Sequence, residues 1–188
     1  ANCVQKFLDL DVTWTVANNG SVDLALHAQR NTVFPELPRF GLRLFLPQEM
    51  SQVNYYGMGP MECYCDKHHA ASHNSYTATV WQLHEDYIRP QENGSHFDCD
   101  YVMLAGDAVR LTAVGTQPFS FNASHYTQEE LTRKAHNYEL EPCGSTVLCL
   151  DYAQNGIGSE SCGPRLLEQY RLDDATFNFG LRLFPEKK

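Results

Sequence analysis

Leu8, Leu10, Val12, Trp14 and Val16 occupy every second position of one run, with Asp9, Asp11, Thr13 and Thr15 between them. Alternation of period two places all the apolar side chains on one face of an extended chain, whereas a helix would scatter them around its circumference. Val22, Leu24 and Leu26 repeat the pattern after Asn18-Asn19-Gly20, a turn suited to a tight connection, so the two runs read as a hairpin. Phe40, Leu42, Leu44 and Leu46 alternate again, as do Phe177, Phe179, Leu181 and Leu183. Shorter strand candidates cover 52–56, 76–81, 101–104, 109–114, 119–122, 145–151 and 166–172. Many short strands with turn signals between them can bury their apolar faces only by packing sheet on sheet, so the chain reads as all-β, a sandwich or barrel.

One helix breaks the pattern. Thr127-Gln-Glu-Glu130 fits a capping box, in which the threonine hydroxyl and the glutamate carboxylate each satisfy an orphan backbone N–H, and predicts a short helix over 127–136. No linker or low-complexity stretch divides the 188 residues, so residues 1–188 read as a single β-sandwich domain. The hexapeptide Phe-Gly-Leu-Arg-Leu-Phe occurs at 40–45 and 179–184 with unlike flanks, which indicates two strands with similar packing needs rather than a repeat architecture.

Charge narrows the partners. A formal charge of −9 opposes binding to a phosphate backbone, which needs a basic face. No apolar run approaches the roughly 18–20 residues of a membrane span. The chain begins without methionine and shows no signal peptide, so its N-terminus reads as a processing boundary. Seven cysteines are an odd number and too sparse for a disulfide scaffold, which reads as reduced thiols and favours a cytoplasmic setting. Asn19, Asn93 and Asn122 head Asn-x-Ser triplets, a pattern that arises readily in turns by chance.

Three loop-like segments put glycine or proline beside carboxylates, aromatics and thiols: 55–66, 87–94 and 156–164. Cys63, Cys65, Asp66, His68, His69 and His73 include good zinc ligands, but structural zinc sites need a second similarly spaced pair, which is absent. A polar loop with buried thiols is the preferred reading, with no metal. Glu62 and Glu92 could be tried as the acid and base of a glycosidase. A carboxylate beside Gly-Pro or Asn-Gly more often caps the N–H groups of its own turn, and Glu62, Tyr64, Asp66, Glu92 and Asn93 are therefore expected to shape the loops. No neighbouring sequence supplies a base for a nucleophilic Cys162.

Five blocks, taken in order, resemble the C-terminal domain of glycoside hydrolase family 2 β-galactosidases. They are Leu37-Pro-Arg-Phe-Gly-Leu, Gly57-Met-Gly-Pro-Met-Glu-Cys-Tyr-Cys-Asp66, Tyr87-Ile-Arg-Pro-Gln-Glu-Asn-Gly94, Pro118-Phe-Ser-Phe-Asn-Ala-Ser-His-Tyr126 and Gly156-Ile-Gly. The resemblance covers about Phe7 to Phe184 and implies an antiparallel, galactose-mutarotase-like super-sandwich. It implies a non-catalytic fragment of an enzyme that hydrolyses terminal β-galactosides with retention and that borders the substrate cleft. The catalytic glutamates and the magnesium ligands would then lie in an upstream barrel, so none of the glutamates here inherits a catalytic role. The expected partners are the upstream domains and a galactoside, and self-association through an exposed strand edge into a homo-oligomer is also expected.

The chain departs from the family pattern at His96 and Asp100, where basic residues are common, and at Lys67, where arginine is common. Cys162 stands where well-known members carry a tryptophan that stacks on the sugar, so Cys162 marks the substrate-binding position of the loop without its aromatic face. Two other readings stay open. A stand-alone carbohydrate-binding sandwich would need an exposed platform drawn from Tyr55, Tyr56, Tyr64, Trp81 and Tyr87. A mutarotase-like epimerase would need His68 or His69 paired with Glu62.

Overall fold

A computed structural model describes residues 5–156 and 164–188. Nine strands follow one another: β1 (Leu8–Val16), β2 (Val22–Arg30), β3 (Arg39–Pro47), β4 (Gln52–Gly59), β5 (Ser72–Thr79), β6 (Ser95–Ala105), β7 (Val109–Ser124), β8 (Ser145–Gln154) and β9 (Thr176–Lys187). All pairings between them are antiparallel. The main order is β1-β2-β9-β7-β6-β4-β5, with β8 and β3 branching off β7. The all-β class is as the alternation predicts.

The branch point gives the sheet two wings. The first half of β7, Val109–Gly115, pairs with β9, and the second half, Ser120–Ser124, pairs with β8. Pro118 falls between the two pairings, where its missing N–H breaks no ladder bond. The sequence reads 109–114 and 119–122 as separate strands because proline looks like a stop; the chain instead changes partner there. The β8–β3 wing then lies against the β9–β2 wing: Tyr152 of β8 stacks on Phe177 of β9 with centroids 4.6 Å apart, and Phe40 of β3 meets the same ring edge-on at 4.9 Å. Between the wings lies one core that includes Leu24, Leu26, Leu148, Leu150, Phe179 and Leu181. Each such side chain contributes about 1.5–3 kcal/mol on burial.

At β1 the core runs out. Leu10, Val12 and Trp14 stand opposite Ala28, Leu26 and Leu24, all of which are buried. Yet Leu10, Val12 and Trp14 remain 44–50% exposed, and Val16 is 72% exposed. The face that the alternation predicts is present, but nothing among the described residues covers it.

Three further readings are corrected. The helix α1 spans Gln128–Arg133 rather than reaching 136, because the Glu139 carboxylate takes the N–H groups of Ala135 and His136 at 3.0 and 2.9 Å. Its cap is one-sided. Thr127 Oγ1 accepts from the Glu130 N–H at 3.1 Å, while the Glu130 carboxylate accepts from the Glu141 N–H and pairs with Arg133 and Lys134. The segment 166–172 is not a strand: it holds the 3₁₀ turn Glu168–Tyr170 and meets the rest through the isolated bridge Leu37–Leu172. The strand read over 76–81 ends at Thr79, where Val80–Leu83 turns into a 3₁₀ helix with a complete Thr79–Gln82 capping box.

Candidate functional site

At the end of β4, the loop after Gly59 meets the loop before β6, and Glu62 joins them. Its carboxylate is buried and accepts from Lys67 Nζ at 2.8 Å, Tyr87 Oη, the Gly94 N–H at 2.9 Å and Tyr64 Oη at 3.3 Å. Burial alone would raise its pKa, but the bonds from Lys67, Tyr87 and Gly94 hold it below the ordinary value of 4.5. A carboxylate with four donors has no free lone pair directed at a substrate. Tyr64 is itself buried, and burial first, then the Glu62 charge, pushes its phenol upward.

Asn93 shapes the second loop. Its Oδ1 accepts from the Glu85 N–H at 2.9 Å and its Nδ2 donates to the Gln91 carbonyl at 3.0 Å. Asn122 Nδ2 in turn donates to the Asn93 carbonyl. Both asparagines of these two Asn-x-Ser triplets are thus buried and bonded within the sandwich, which leaves neither side chain available to carry a glycan. Glu92 turns the other way and pairs with Arg39 of β3. Arg39 also forks onto the buried Asp151 of β8, with Nε to Oδ1 at 2.8 Å and Nη2 to Oδ2 at 2.6 Å. Burial pushes the Asp151 carboxyl up, and Arg39 pulls against it.

The third loop starts against the first. A methyl group on Gly156 would overlap the Asp66 carboxylate, so the glycine lets the backbone approach that side chain. Cys65 Sγ contacts the carbonyls of Gln154 and Tyr170 at 3.6 and 3.7 Å, and burial raises its pKa to about 11. Cys162 lies outside the described residues. The five described cysteines are free thiols.

Among the described residues, no three His, Cys, Asp or Glu side chains are grouped to hold a metal ion. His68 Nδ1 is bonded to the Tyr64 carbonyl at 3.2 Å and its ring faces His69 and Phe97. Neither His68 nor His69 is among the hydrogen-bond partners of Glu62, so the pairing that an epimerase needs is not formed. Of the proposed sugar platform, Tyr55 and Tyr64 are buried, Tyr87 is half-buried, and Tyr56 and Trp81 are 40% and 49% exposed.

Several residues of this network escape a reading of the sequence. Lys67 follows the block that ends at Asp66 and Tyr87 opens the next one, but nothing local says that both reach Glu62. Asp151 carries a usable signal, because a lone carboxylate ending the apolar run 147–150 of a strand needs a cationic partner. Which arginine supplies it depends on the β3–β8 pairing. His96 is 1% exposed, with Nδ1 within 3.1 Å of Tyr55 Oη and 3.2 Å of the Met58 carbonyl, and its Nε2 has no partner. Burial lowers its pKa to about 4.

Comparison with known proteins places the whole arrangement. The family described as "Beta galactosidase small chain" matches residues 1–183. A β-galactosidase of Actinobacillus pleuropneumoniae is 46% identical over 182 residues, which is 97% of this chain and 18% of that protein. One of Staphylococcus xylosus is 42% identical over 172 residues, 92% of this chain and 17% of the relative. One of Lactococcus lactis is 32% identical over 165 residues, 87% of this chain and 16% of the relative. The chain therefore spans less than a fifth of the length of the curated relatives it matches.

Proposed function

The chain belongs to the β-galactosidase small chain family, and from that premise we propose that it is a non-catalytic β-sandwich domain bordering the substrate cleft of a larger enzyme that hydrolyses terminal β-D-galactosides with retention. The observation that carries this reading is the coverage: nearly all of this chain matches a small part of proteins named β-galactosidase. Two features of the structure support it. Glu62 and Asp151, the buried carboxylates at the loop end, are bonded to donors of the same domain, so they serve the loops rather than a reaction. The open face of β1 asks for cover, as a domain surface does when the rest of a polypeptide packs on it.

The catalytic glutamates and the magnesium implied by the family resemblance would be held by the remainder of the polypeptide. The described residues offer no group of three ligands for that ion. The loop that carries Cys162 would approach the cleft, so Cys162→Trp in the full enzyme should alter the ratio of hydrolysis to transfer onto added glucose more than it alters affinity for galactose.

The deciding experiment assays an aryl β-galactoside with the full polypeptide and with this chain alone. Turnover by the former and none by the latter is expected. Turnover by the chain alone, abolished in Glu62→Ala, overturns the reading.

A further inference from the structure

One strand-length from the loop cluster, at the Gln52 end of β4, lies an open cleft of about 400 Å³ lined by Gln48, Glu49, Ser51, Trp81 and His125. Eight residues of extended chain separate the two ends by about 23 Å. The cleft is built rather than incidental. Trp81 is presented by the capped 3₁₀ turn after β5, in which Gln82 N–H donates to Thr79 Oγ1 at 3.2 Å and Thr79 N–H donates to Gln82 Oε1 at 2.8 Å. The Val80 N–H reaches the Ser51 carbonyl at 2.9 Å and ties that turn to the Gln48–Ser51 corner. Behind the indole stand His125, with ring centroids 4.7 Å apart, and Tyr126, edge-on at 5.9 Å. A half-exposed tryptophan is thus held in one orientation at the cost of leaving apolar surface in water.

The polar groups around it are unspent. His125 is 3% exposed, and its Nδ1 lies 3.3 Å from the Ser145 carbonyl. A carbonyl only accepts, so Nδ1 carries a proton and Nε2 is the ring nitrogen left to meet a ligand. Within the described residues, neither His125 Nε2 nor the side chains of Gln48, Glu49 and Ser51 make a hydrogen bond to the protein. The cleft therefore combines one apolar ring face with an amide, a hydroxyl, a carboxylate and an imidazole nitrogen, both donors and acceptors. No lysine or arginine lines it, so it does not suit a phosphate or another anion. One carboxylate and one imidazole are too few for a resident cation. An apolar ligand would strand the polar groups. A pyranose, with a C–H face and a rim of hydroxyls that donate and accept, matches both halves of the lining.

The other candidates fall short of this match. The trough over Ala25 and Gly180 offers no exposed aromatic face, since its one phenylalanine, Phe179, is 1% exposed, and its Asp23–Arg182 and His27–Asn178 pairs are already made. The hollow at Arg39 has its charges engaged with Glu92 and Asp151. The hollow between Leu46, Met50 and Pro185 exposes a mainly apolar surface, and the Arg110–Glu186 pair at its rim is already made.

We propose that the Trp81 cleft is a pyranose-binding site, one strand-length from the loop end. The choice of a galactoside as ligand rests on the proposed function; the recognition chemistry does not. The test is hydrogen–deuterium exchange on the full polypeptide with methyl β-D-galactopyranoside, following the segments 48–51, 80–83 and 124–126. Protection of these segments is expected in the parent protein. In Trp81→Ala, apparent affinity read from that protection should fall about tenfold or more, while hydrolysis of an aryl galactoside stays unchanged. Gln48→Ala, at an exposed side chain with no packing role, should weaken protection as well, which guards against misfolding of the tryptophan variant. Absence of protection at sugar concentrations that saturate turnover, protection that persists in both variants, or equal protection by glycerol overturns the proposal. A full polypeptide that protects these segments but hydrolyses no galactoside would sink the proposed function and leave this site standing.

Discussion

Glu62 and Gly94 are 32 residues apart in the chain, yet Glu62 Oε2 accepts the Gly94 N–H at 2.9 Å and closes one loop onto the other. The same carboxylate binds Lys67 and Tyr87, so a single buried side chain ties together the segment after β4 and the segment before β6. Neither loop has a ladder of strand hydrogen bonds to hold it there. The carboxylate supplies that restraint together with the Cys63 N–H, which donates to the Ser95 carbonyl at 2.8 Å.

Glu62→Ala should therefore destabilise the domain by about 1–3 kcal/mol, because it strands the Gly94 N–H and the Tyr87 hydroxyl. Glu129→Ala, which removes an exposed pairing with Arg43, should cost about 1 kcal/mol or less. Acid should act through the same group. The folded pKa of Glu62 lies below its ordinary 4.5, so its contribution is full above pH 4.5 and is lost as pH falls through the folded value. Melting temperatures of the two variants against the parent, at neutral pH and near pH 4, check this. Equal melting at neutral pH would sink the structural role.

Gly94 and Gly20 both take positive φ, at +71° and +83°. Only Gly94 is crowded: a methyl group there would overlap the Leu83 carbonyl oxygen, while at Gly20 nothing lies within 4 Å. Gly20→Ala should then cost about 1–2 kcal/mol, the strain of a left-handed alanine. Gly94→Ala carries that strain and a backbone clash, and it should also disturb the Glu62 bond. Urea unfolding of the pair separates the two costs, and equal losses would show that the Leu83 contact gives way freely.

The strands were legible wherever one face is wet. Alternation marks β2, β3 and β9, because each has one side turned toward the core and one away from it, and β1 carries the same alternation although its apolar side stands in solvent. It fails where the backbone does something that no side-chain period records. Gly57 looks like the end of a strand, but β4 continues to Gly59 because a bare glycine lets Cys99 of β6 pack against it. Leu166 and Leu172 look like strand residues because they are buried, yet Arg171 bonds the Leu166 carbonyl at 2.8 and 3.0 Å and closes a turn. At the loop end, glycine, proline and carboxylate side by side announced a shaped loop. The partners were hidden, since Arg39, Lys67 and Tyr87 reach the carboxylates only after the strands have paired.

His96 gives a second, separable acid response. Its Nδ1 proton serves the Met58 carbonyl, and protonating Nε2 would place an unpartnered N–H and a charge where the ring is stacked on Phe121. Burial accordingly holds the folded pKa at about 4, against an ordinary 6.5. The unfolded chain binds the extra proton first, so stability is full above pH 6.5 and declines as pH falls toward 4, by an amount on the order of 3 kcal/mol. The slope between pH 6 and 5 should vanish in His96→Gln, whereas the Glu62 response lies lower. Urea midpoints across that range would expose a misplaced histidine if the two proteins decline in parallel.

Strand β1 should drive association of this chain. It pairs with β2 over all nine residues without a bulge, its outer N–H and C=O groups face no strand among the described residues, and Leu10, Val12, Trp14 and Val16 leave an apolar row in solvent. Protected edges look different. At the far end of the same sheet, β5 carries Ser72, His73, Asn74, Ser75 and Thr77, a polar edge that discourages pairing. In the larger polypeptide of the proposed function, the remainder would cover the β1 row; in the isolated chain a second copy is the available cover. Sedimentation velocity should show a concentration-dependent larger species, strongly reduced in Val12→Lys/Trp14→Ser and unchanged in Glu92→Gln at the loop end. A chain that stays monomeric at high concentration would mean that Asp9 and Asp11, on the opposite face of β1, already keep copies apart.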